Sequence, residues 1–485
     1  MKYVLAIDAG TTGVTCLMLG EDGRVAGRGY REVPQYFPAP GLVEHDAVEI
    51  LDCVRASAHE AIAAVGSDPV AIGITNQRET IVVWERATGT PVYHALVWQD
   101  RRTAQRCAEL APRHEWIGAR TGLVLDPYFS ATKLEWLLRE QRLLERYRPS
   151  DLACGTIDTW LVWKLTGGKV HATDPTNASR TMLYDIDAKS WSDELCALFN
   201  VPRTMLPEVR DSAADYGAAT ADVLGAPVVI RALVGDQQAG AVGQECTSAG
   251  EAKATYGTGC FVLVHTGNTP VASHHRLLTT TALQLDGVAT YALEGSIFNA
   301  GTVVQWLRDK LGLISTAAES EAVAQSVASS NGVYVVPAFT GLGAPWWNPD
   351  ARGMISGLTR DSGRAEIVRA ALESVALQTR DLAGAFADDG VPIATLRVDG
   401  GMAANDWLMQ TVADQLRCMV ERPVVLETTA WGAARLAGMQ AGVYPPLGVP
   451  GLRQVERTFT PAGDAGAGDR LYEGWRREVG RASRM

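Results

Sequence analysis

The chain has 485 residues, 47% apolar and 20% charged; that is ordinary globular usage at a length that fills two or three cores, so a lone small module and a disordered tether are both excluded. Its 44 Lys and Arg against 55 Asp and Glu leave a net charge of −11, which makes nucleic acid and anionic membrane poor partners. An anionic ligand would have to be held by local backbone amides and a few cations.

In chain order, the first apolar run ends at Asp8, too early for a signal peptide, and no later run approaches the roughly 18 residues of a membrane span. A soluble, cytoplasmic protein is expected. Residues 3–7 and 15–19 read as strands around Ala9-Gly-Thr-Thr-Gly13, and Asp22-Gly23 marks a second turn, so the chain starts as a meander of strands. Asp46-Ala-Val-Glu49 has capping-box spacing, and Val48, Leu51, Val54, Ile62 and Val65 recur at helical period before Gly66, predicting a helix over Ala47–Val65. Residues 70–74 form a buried strand. A similar order returns later: strand 251–256, turn Gly257-Thr258-Gly259, strands 261–265 and 290–293, and a helix near 298–311. The repetition predicts a diverged duplication. Strands at 333–337, 395–398 and 419–421 then alternate with helices near 365–387 and 406–416. Two α/β domains, 1–246 and 247–485, are expected to pack closely with a hinge between them, because no Pro/Ser-rich linker separates them.

The eight cysteines (16, 53, 107, 154, 196, 246, 260 and 418) show no Cys-x-x-Cys and no paired spacing, so reduced thiols are expected rather than disulfides or a zinc site. Gly168-Lys169-Val170 lacks the Walker spacing, and Gly-x-Gly-x-x-Gly, Gly-x-Ser-x-Gly and His-Glu-x-x-His do not occur, which removes support for several enzyme classes. What remains are two Gly/Thr turns. Asp8 with Gly10, Thr11, Thr12 and Gly13 offers a carboxylate, backbone amides and hydroxyls to a polyanion; read alone, it is as well an ordinary hairpin. Gly257-Thr258-Gly259 repeats that chemistry in the second domain, so the two could hold a triphosphate between them. Asp236 follows the apolar run 228–234 and reads either as a reactive carboxylate at a strand end or as a helix N-cap. Arg78 and Glu79 alone read as a solvated pair. Gly400 and Gly401 lie at a strand-to-helix turn, where a missing Cβ would let backbone approach a flat base.

These residues, with Gly73-Ile-Thr-Asn-Gln-Arg-Glu-Thr80, Asp126-Pro-Tyr-Phe-Ser-Ala-Thr-Lys133, Gly235-Asp-Gln-Gln238, Tyr256-Gly-Thr-Gly-Cys-Phe261 and Asp399-Gly-Gly401, carry a resemblance. The chain resembles the FGGY family of carbohydrate kinases, most closely those members that phosphorylate glycerol, within the actin/hexokinase-like superfamily. Both family signatures are filled, at 128–140 with Lys133 and Trp136 in place and at 353–373, and the likeness runs from residue 3 to about 445. It implies an α/β fold of two ribonuclease-H-like (actin-like ATPase) domains flanking a nucleotide cleft. It implies ATP-dependent phosphorylation of glycerol to sn-glycerol 3-phosphate, with Asp236 as general base and Asp8 holding Mg2+ through water. Arg78, Glu79, Tyr128, Asp236 and Gln237 would bond the hydroxyls of the polyol, and Trp98 and Phe261 would cover its carbons. Thr11, Thr12, Gly13, Thr258, Gly301, Gln305, Gly401 and Asn405 would bind ATP or ADP, and a homo-oligomer, dimer or tetramer, is implied.

The chain departs from the family at Thr15, usually Arg or Lys, and at Ala9, usually Gln among the glycerol-phosphorylating members, which predicts weaker nucleotide binding. Residues 221–231 lack the Gly-rich, Arg-bearing loop of members inhibited by fructose 1,6-bisphosphate, so that control is expected to be absent. A sibling kinase for another small polyol or ketopentose, and a non-catalytic nucleotide-binding protein, stay open as alternatives.

Overall fold

The computed structural model describes residues 1–348, 350–449 and 452–484. The side chains of Asp222 and Val223, inside the segment read for fructose bisphosphate control, lie outside what is described.

The opening meander is β1 (Tyr3–Ala9), β2 (Gly13–Gly20) and β3 (Val25–Glu32), paired antiparallel. β4 (Ala71–Asn76) and β5 (Val228–Gly235) add in parallel on the other side of β1, giving the order β5-β4-β1-β2-β3 with a two-residue strand, Ala218–Ala219, beyond β5. Val4 to Ile7 are fully buried because β1 lies at the centre of the sheet, covered on both faces, and its side chains need not alternate. Helix α1 (Ala47–Val65) crosses β3 where that edge strand carries glycine: a Cβ on Gly27 would lie 2.3 Å from the Ala61 carbonyl oxygen, and one on Gly29 2.0 Å from that of Ser57. Asp46 caps α1 by accepting from the Val48 amide, and Gly66 ends it at φ 69°. The capping box itself does not form, since Asp46 accepts from the Val48 amide rather than that of Glu49, and the Glu49 carboxylate accepts from the Tyr36 hydroxyl at 2.9 and 3.0 Å.

The second domain repeats the plan. β6 (Glu251–Tyr256), β7 (Cys260–Gly267), β8 (Leu278–Leu285), β9 (Val288–Ile297), β10 (Thr395–Asp399), β11 (Met419–Pro423) and β12 (Val455–Phe459) form a sheet in the order β8-β9-β7-β6-β10-β11-β12. β6, β7 and β9 are antiparallel neighbours, and β6, β10 and β11 are parallel, the same pattern as β1, β2, β3 and β1, β4, β5. Helix α2 (Asp236–Gly243) ends the first domain and opens the crossover, and the second half carries α3 (Gly301–Asp309), a short helix Glu319–Gln325, α4 (Arg364–Asp388), α5 (Asp406–Leu416), α6 (Thr428–Gln440) and α7 (Ala465–Ala482). One expectation is corrected. The segment read as strand 333–337 of the alternating series is Tyr334–Val336, paired with Met354–Ser356 in a separate two-stranded sheet. It covers the outer side of α4, where Val335 packs with Val368 and Leu372.

The halves meet without a spacer because α6, late in the sequence, packs on the first sheet. Ala430, Ala433, Ala434, Leu436 and Ala437 share one core with Val4, Ala6, Leu17, Leu19 and Ala71. Small residues permit the approach: a Cβ on Gly432 would stand 1.8 Å from the Ala239 carbonyl of α2, and one on Gly73 2.2 Å from that of Ala433. Parallel β1, β4 and β5 therefore deliver Asp8, Arg78 with Glu79, and Asp236 at their carboxyl ends, where open α/β sheets place ligands. β6 and β10 deliver Thr258 and Gly401 in the same way. Among the described residues no helix is long and apolar enough to cross a membrane.

Candidate active site

Asp236 is the first residue of α2. Its Oδ1 accepts from the Gln237 amide at 2.7 Å and lies 3.1 Å from Arg78 Nε. The aspartate therefore does touch the helix N-terminus, yet Gly235 is the N-cap, and 29% of the Asp236 side chain stays exposed. Gly235 also leaves the path for Arg78, whose Cδ would lie 2.7 Å from a Cβ there. Asp8 is half-buried at the end of β1, and burial together with the Asp236 carboxylate pushes its carboxyl up to about 7.

Arg78 and Glu79 are no solvated pair, for both are buried. Arg78 donates through Nη1 and Nη2 to Glu294 at 2.6 and 3.1 Å and through Nη1 to Gln238 at 3.2 Å. Its Nε has no hydrogen-bond partner among the described residues; the Asp236 oxygen is near but not aligned. Glu79 adopts a left-handed backbone at φ 62° and accepts from Arg180 Nε at 2.6 Å, while Arg180 Nη2 donates to Glu294 at 2.9 Å. Two arginines and two glutamates thus close a buried cage, with Glu294 contributed by β9 of the second domain. Burial alone would raise the Glu294 carboxyl, but Arg180 and Arg78 outweigh it and hold it at about 2. For Glu79 burial prevails and the carboxyl lies above its ordinary value.

Three aromatic rings stand together. Trp98 meets Tyr128 edge to face at 5.5 Å between centroids and Phe261 at 6.2 Å, and Arg180 lies over Tyr128 at 5.5 Å. Lys133 is fully buried and donates to the carbonyls of Trp98 and Tyr128 at 3.2 and 3.0 Å, so this signature lysine fixes the backbone of two walls. Burial lowers its ammonium to about 7. Trp98 Nε1 donates to Thr11 Oγ1 at 2.9 Å, joining the first Gly/Thr turn to the aromatic group, while Phe261 follows the second turn on β7. One set of contacts brings Thr11, Trp98, Tyr128 and Phe261 into one locality.

The first turn closes through Gly10 N–H to the Gly13 carbonyl at 3.0 Å, and a Cβ on Gly13 would strike the Tyr30 ring at 2.6 Å; Thr12 is exposed. In the second turn Gly257 N–H reaches the Gly259 carbonyl at 2.9 Å. The amides of Ala300 and Thr302 bond the Thr258 carbonyl, and that of Gly301 the Gly257 carbonyl, which seats the start of α3 on this turn. Gln305 is exposed on the next turn of α3. The role read for Gly400 is corrected: at φ 87° its missing Cβ makes room for the Tyr256 carbonyl, 2.5 Å away, and not for a ligand. Gly401 does face open space. Asn405 caps α5 by accepting from the Leu408 amide at 2.8 Å.

Family models match both halves: the N-terminal domain of the FGGY family of carbohydrate kinases over residues 3–243 and its C-terminal domain over 252–441. The chain belongs to the FGGY family. Among related FGGY proteins, a glycerol kinase of Alcanivorax borkumensis is 54% identical, with 99% of this chain and 98% of that protein aligned. One of Nitrobacter hamburgensis is 53% identical over 98% and 97%. Among solved structures, Plasmodium falciparum glycerol kinase with ADP superposes with a TM-score of 0.93 at 34% identity, covering 99% of this chain and 98% of that one.

Sequence reasoning missed Arg180, Glu294 and Lys253 of this FGGY site. Two had a visible signal, since Glu294 and Lys253 are charged residues inside otherwise apolar strand runs, where charge persists only if paired. Arg180, in Asn177-Ala-Ser-Arg-Thr181, had none.

Proposed function

We propose that this protein transfers the γ-phosphoryl group of ATP to a terminal hydroxyl of glycerol, forming sn-glycerol 3-phosphate. The observation that carries the reading is the small aromatic enclosure of Trp98, Tyr128 and Phe261 beside the buried Arg78–Glu79 pair and the partly exposed Asp236. Such a pocket covers three carbons and offers each hydroxyl a charged or amide partner, and the similarity to glycerol kinases along the whole chain supports the same substrate. Asp236, oriented by the Gln237 amide and Arg78, accepts the proton of the attacking hydroxyl. Arg78 Nε, buried and unpartnered, donates to a polyol oxygen, with Glu79, Tyr128 and Gln237 completing the set. Thr11, Thr12 and Gly13 from one domain, and Thr258, Gly301 and Gln305 from the other, hold the phosphates, while Gly401 and Asn405 border the adenosine.

Mg2+ fits the donors present. No cluster of three or more His, Cys, Asp or Glu occurs among the described residues, but a hard cation carried by a nucleotide needs one or two carboxylates, its other ligands being phosphate and water. Asp8 is that carboxylate, on β1 next to the first Gly/Thr turn; burial first, and the Asp236 carboxylate second, raise its proton affinity. When bound, the ion neutralises charge on the phosphates. All eight cysteines are free, in keeping with action in the cytoplasm.

The test is glycerol-dependent ADP release with ATP and magnesium, beside Asp236→Asn and a panel of tetritols and ketopentoses. Turnover on glycerol, reduced about 10²- to 10⁴-fold in the variant with ATP still bound, is the expected result. Preference for a larger polyol would move the substrate, and no turnover on any would overturn the reading.

A further inference from the structure

We infer that Lys253 is a positioning residue for Gln237, turning its side-chain amide so that Nε2 faces the polyol as a donor. The inference rests on the placement of Gln237 in the polyol pocket proposed above. Lys253 lies on β6 of the second domain and is fully buried. Its Nζ donates across the domain junction to Gln237 Oε1 and also, at 2.8 Å, to Thr255 Oγ1. An ammonium carries three hydrogens and no lone pair, so the amide can meet it only with oxygen. That fixes the flip of a side chain whose two ends are otherwise nearly interchangeable and sends the NH₂ group the other way. Gly240, one turn further along α2, leaves the space: a Cβ there would lie 3.3 Å from Nζ.

The consequence is chemical. Asp236 and Glu79, when ionised, are acceptors only, and Arg78 is a donor only. With Nε2 outward, Gln237 is a second donor, suited to the lone pair of a hydroxyl whose proton goes to a carboxylate. Both partners sit on different domains, so the amide takes this orientation only when β6 and α2 are docked.

Wild type, Lys253→Met, Gln237→Leu and the double variant are compared by glycerol KM, ATP KM and kcat. Each single change should raise glycerol KM about three- to ten-fold, the value of one hydrogen bond, with ATP KM unchanged. The double variant should be no worse than Gln237→Leu, because the lysine acts through the glutamine. Additive losses, or a rise in ATP KM in Lys253→Met, would overturn the inference. Gln237→Glu leaves the buried lysine in place and paired but offers the polyol an acceptor; its glycerol KM should rise as in Gln237→Leu, and a wild-type value would overturn the assigned orientation. Wild-type turnover without coupling sinks this inference alone, whereas no wild-type turnover on glycerol sinks it together with the proposed function.

Discussion

Glu294→Gln keeps the volume of the side chain and removes one charge from the buried cage. The glutamate accepts three charge-assisted bonds, from Arg78 at 2.6 and 3.1 Å and from Arg180 at 2.9 Å, and is fully buried. Oε1 accepts from both Arg78 Nη2 and Arg180 Nη2 while Oε2 accepts from Arg78 Nη1, so either orientation of a glutamine amide aims its NH₂ at an arginine nitrogen, a donor against a donor. Holding the carboxyl at about 2 instead of the ordinary 4.5 corresponds to about 3 kcal/mol, at roughly 1.4 kcal/mol per tenfold change in proton affinity. That agrees with the 3–5 kcal/mol typical of breaking a buried ion pair from one side. The sign follows from the depressed value: the contribution is complete above the unfolded pKa near 4.5 and is lost as pH falls from there towards 2. Urea unfolding followed by tryptophan fluorescence should therefore show the variant about 3 kcal/mol less stable at pH 7, with the gap narrowing below pH 4.5. A difference under about 1 kcal/mol at pH 7, or one that does not change down to pH 3.5, would refute the reasoning. Because Arg78 loses its clamp, glycerol KM should rise in the same variant.

Thr15 stands directly opposite Asp8 in the β1–β2 ladder, so the guanidinium of Thr15→Arg can reach the first Gly/Thr turn. One added charge-assisted bond to phosphate should lower the ATP KM about ten-fold; an unchanged ATP KM in steady-state kinetics would remove Thr15 as the cause of any weak nucleotide binding. Gly432→Ala places a methyl 1.8 Å from the Ala239 carbonyl, a backbone clash that only separation of α2 and α6 relieves. Overpacking of this kind costs about 1–3 kcal/mol, and because α2 begins with Asp236 and Gln237, both the melting temperature and glycerol affinity should fall. A variant with wild-type melting and wild-type glycerol KM would show that the two helices do not fix the site.

The parts of this fold legible in the sequence are those with local causes. Asp46 and Gly66 bracket α1 as read, and Asp406–Leu416 appears with the predicted bounds, because caps and helical period are written in neighbouring residues. β8, β12 and α7 were not placed, and residues 333–337 were put in the wrong sheet. Strand partnership depends on tertiary neighbours that no short window contains. The same division runs through the site. Asp8, Asp236 and the two Gly/Thr turns announce themselves as carboxylates and glycines at strand ends. The cage does not, since Arg78 and Glu79 meet Arg180 and Glu294 from 101 to 216 positions away.

That cage also explains how an acidic protein can present an ordered pocket to an uncharged polyol and an anionic nucleotide together. Arg78 and Arg180 balance Glu79 and Glu294, so the buried network carries no net charge while each group keeps a fixed direction. Polar groups fixed in this way need no reorganisation when charge moves during transfer. Arg180 Nη1 is buried with no hydrogen-bond partner among the described residues, and Arg78 Nε has only the poorly aligned Asp236 oxygen 3.1 Å away; a buried donor left open costs about 1–3 kcal/mol. On the proposed reading, a polyol oxygen accepting from Arg78 Nε would recover that cost on binding, whereas an analogue with hydrogen at the same carbon would not. On that reading, selectivity for a hydroxyl over hydrogen would rest on this donor, because the cage occupies both Nη atoms of Arg78 with protein acceptors.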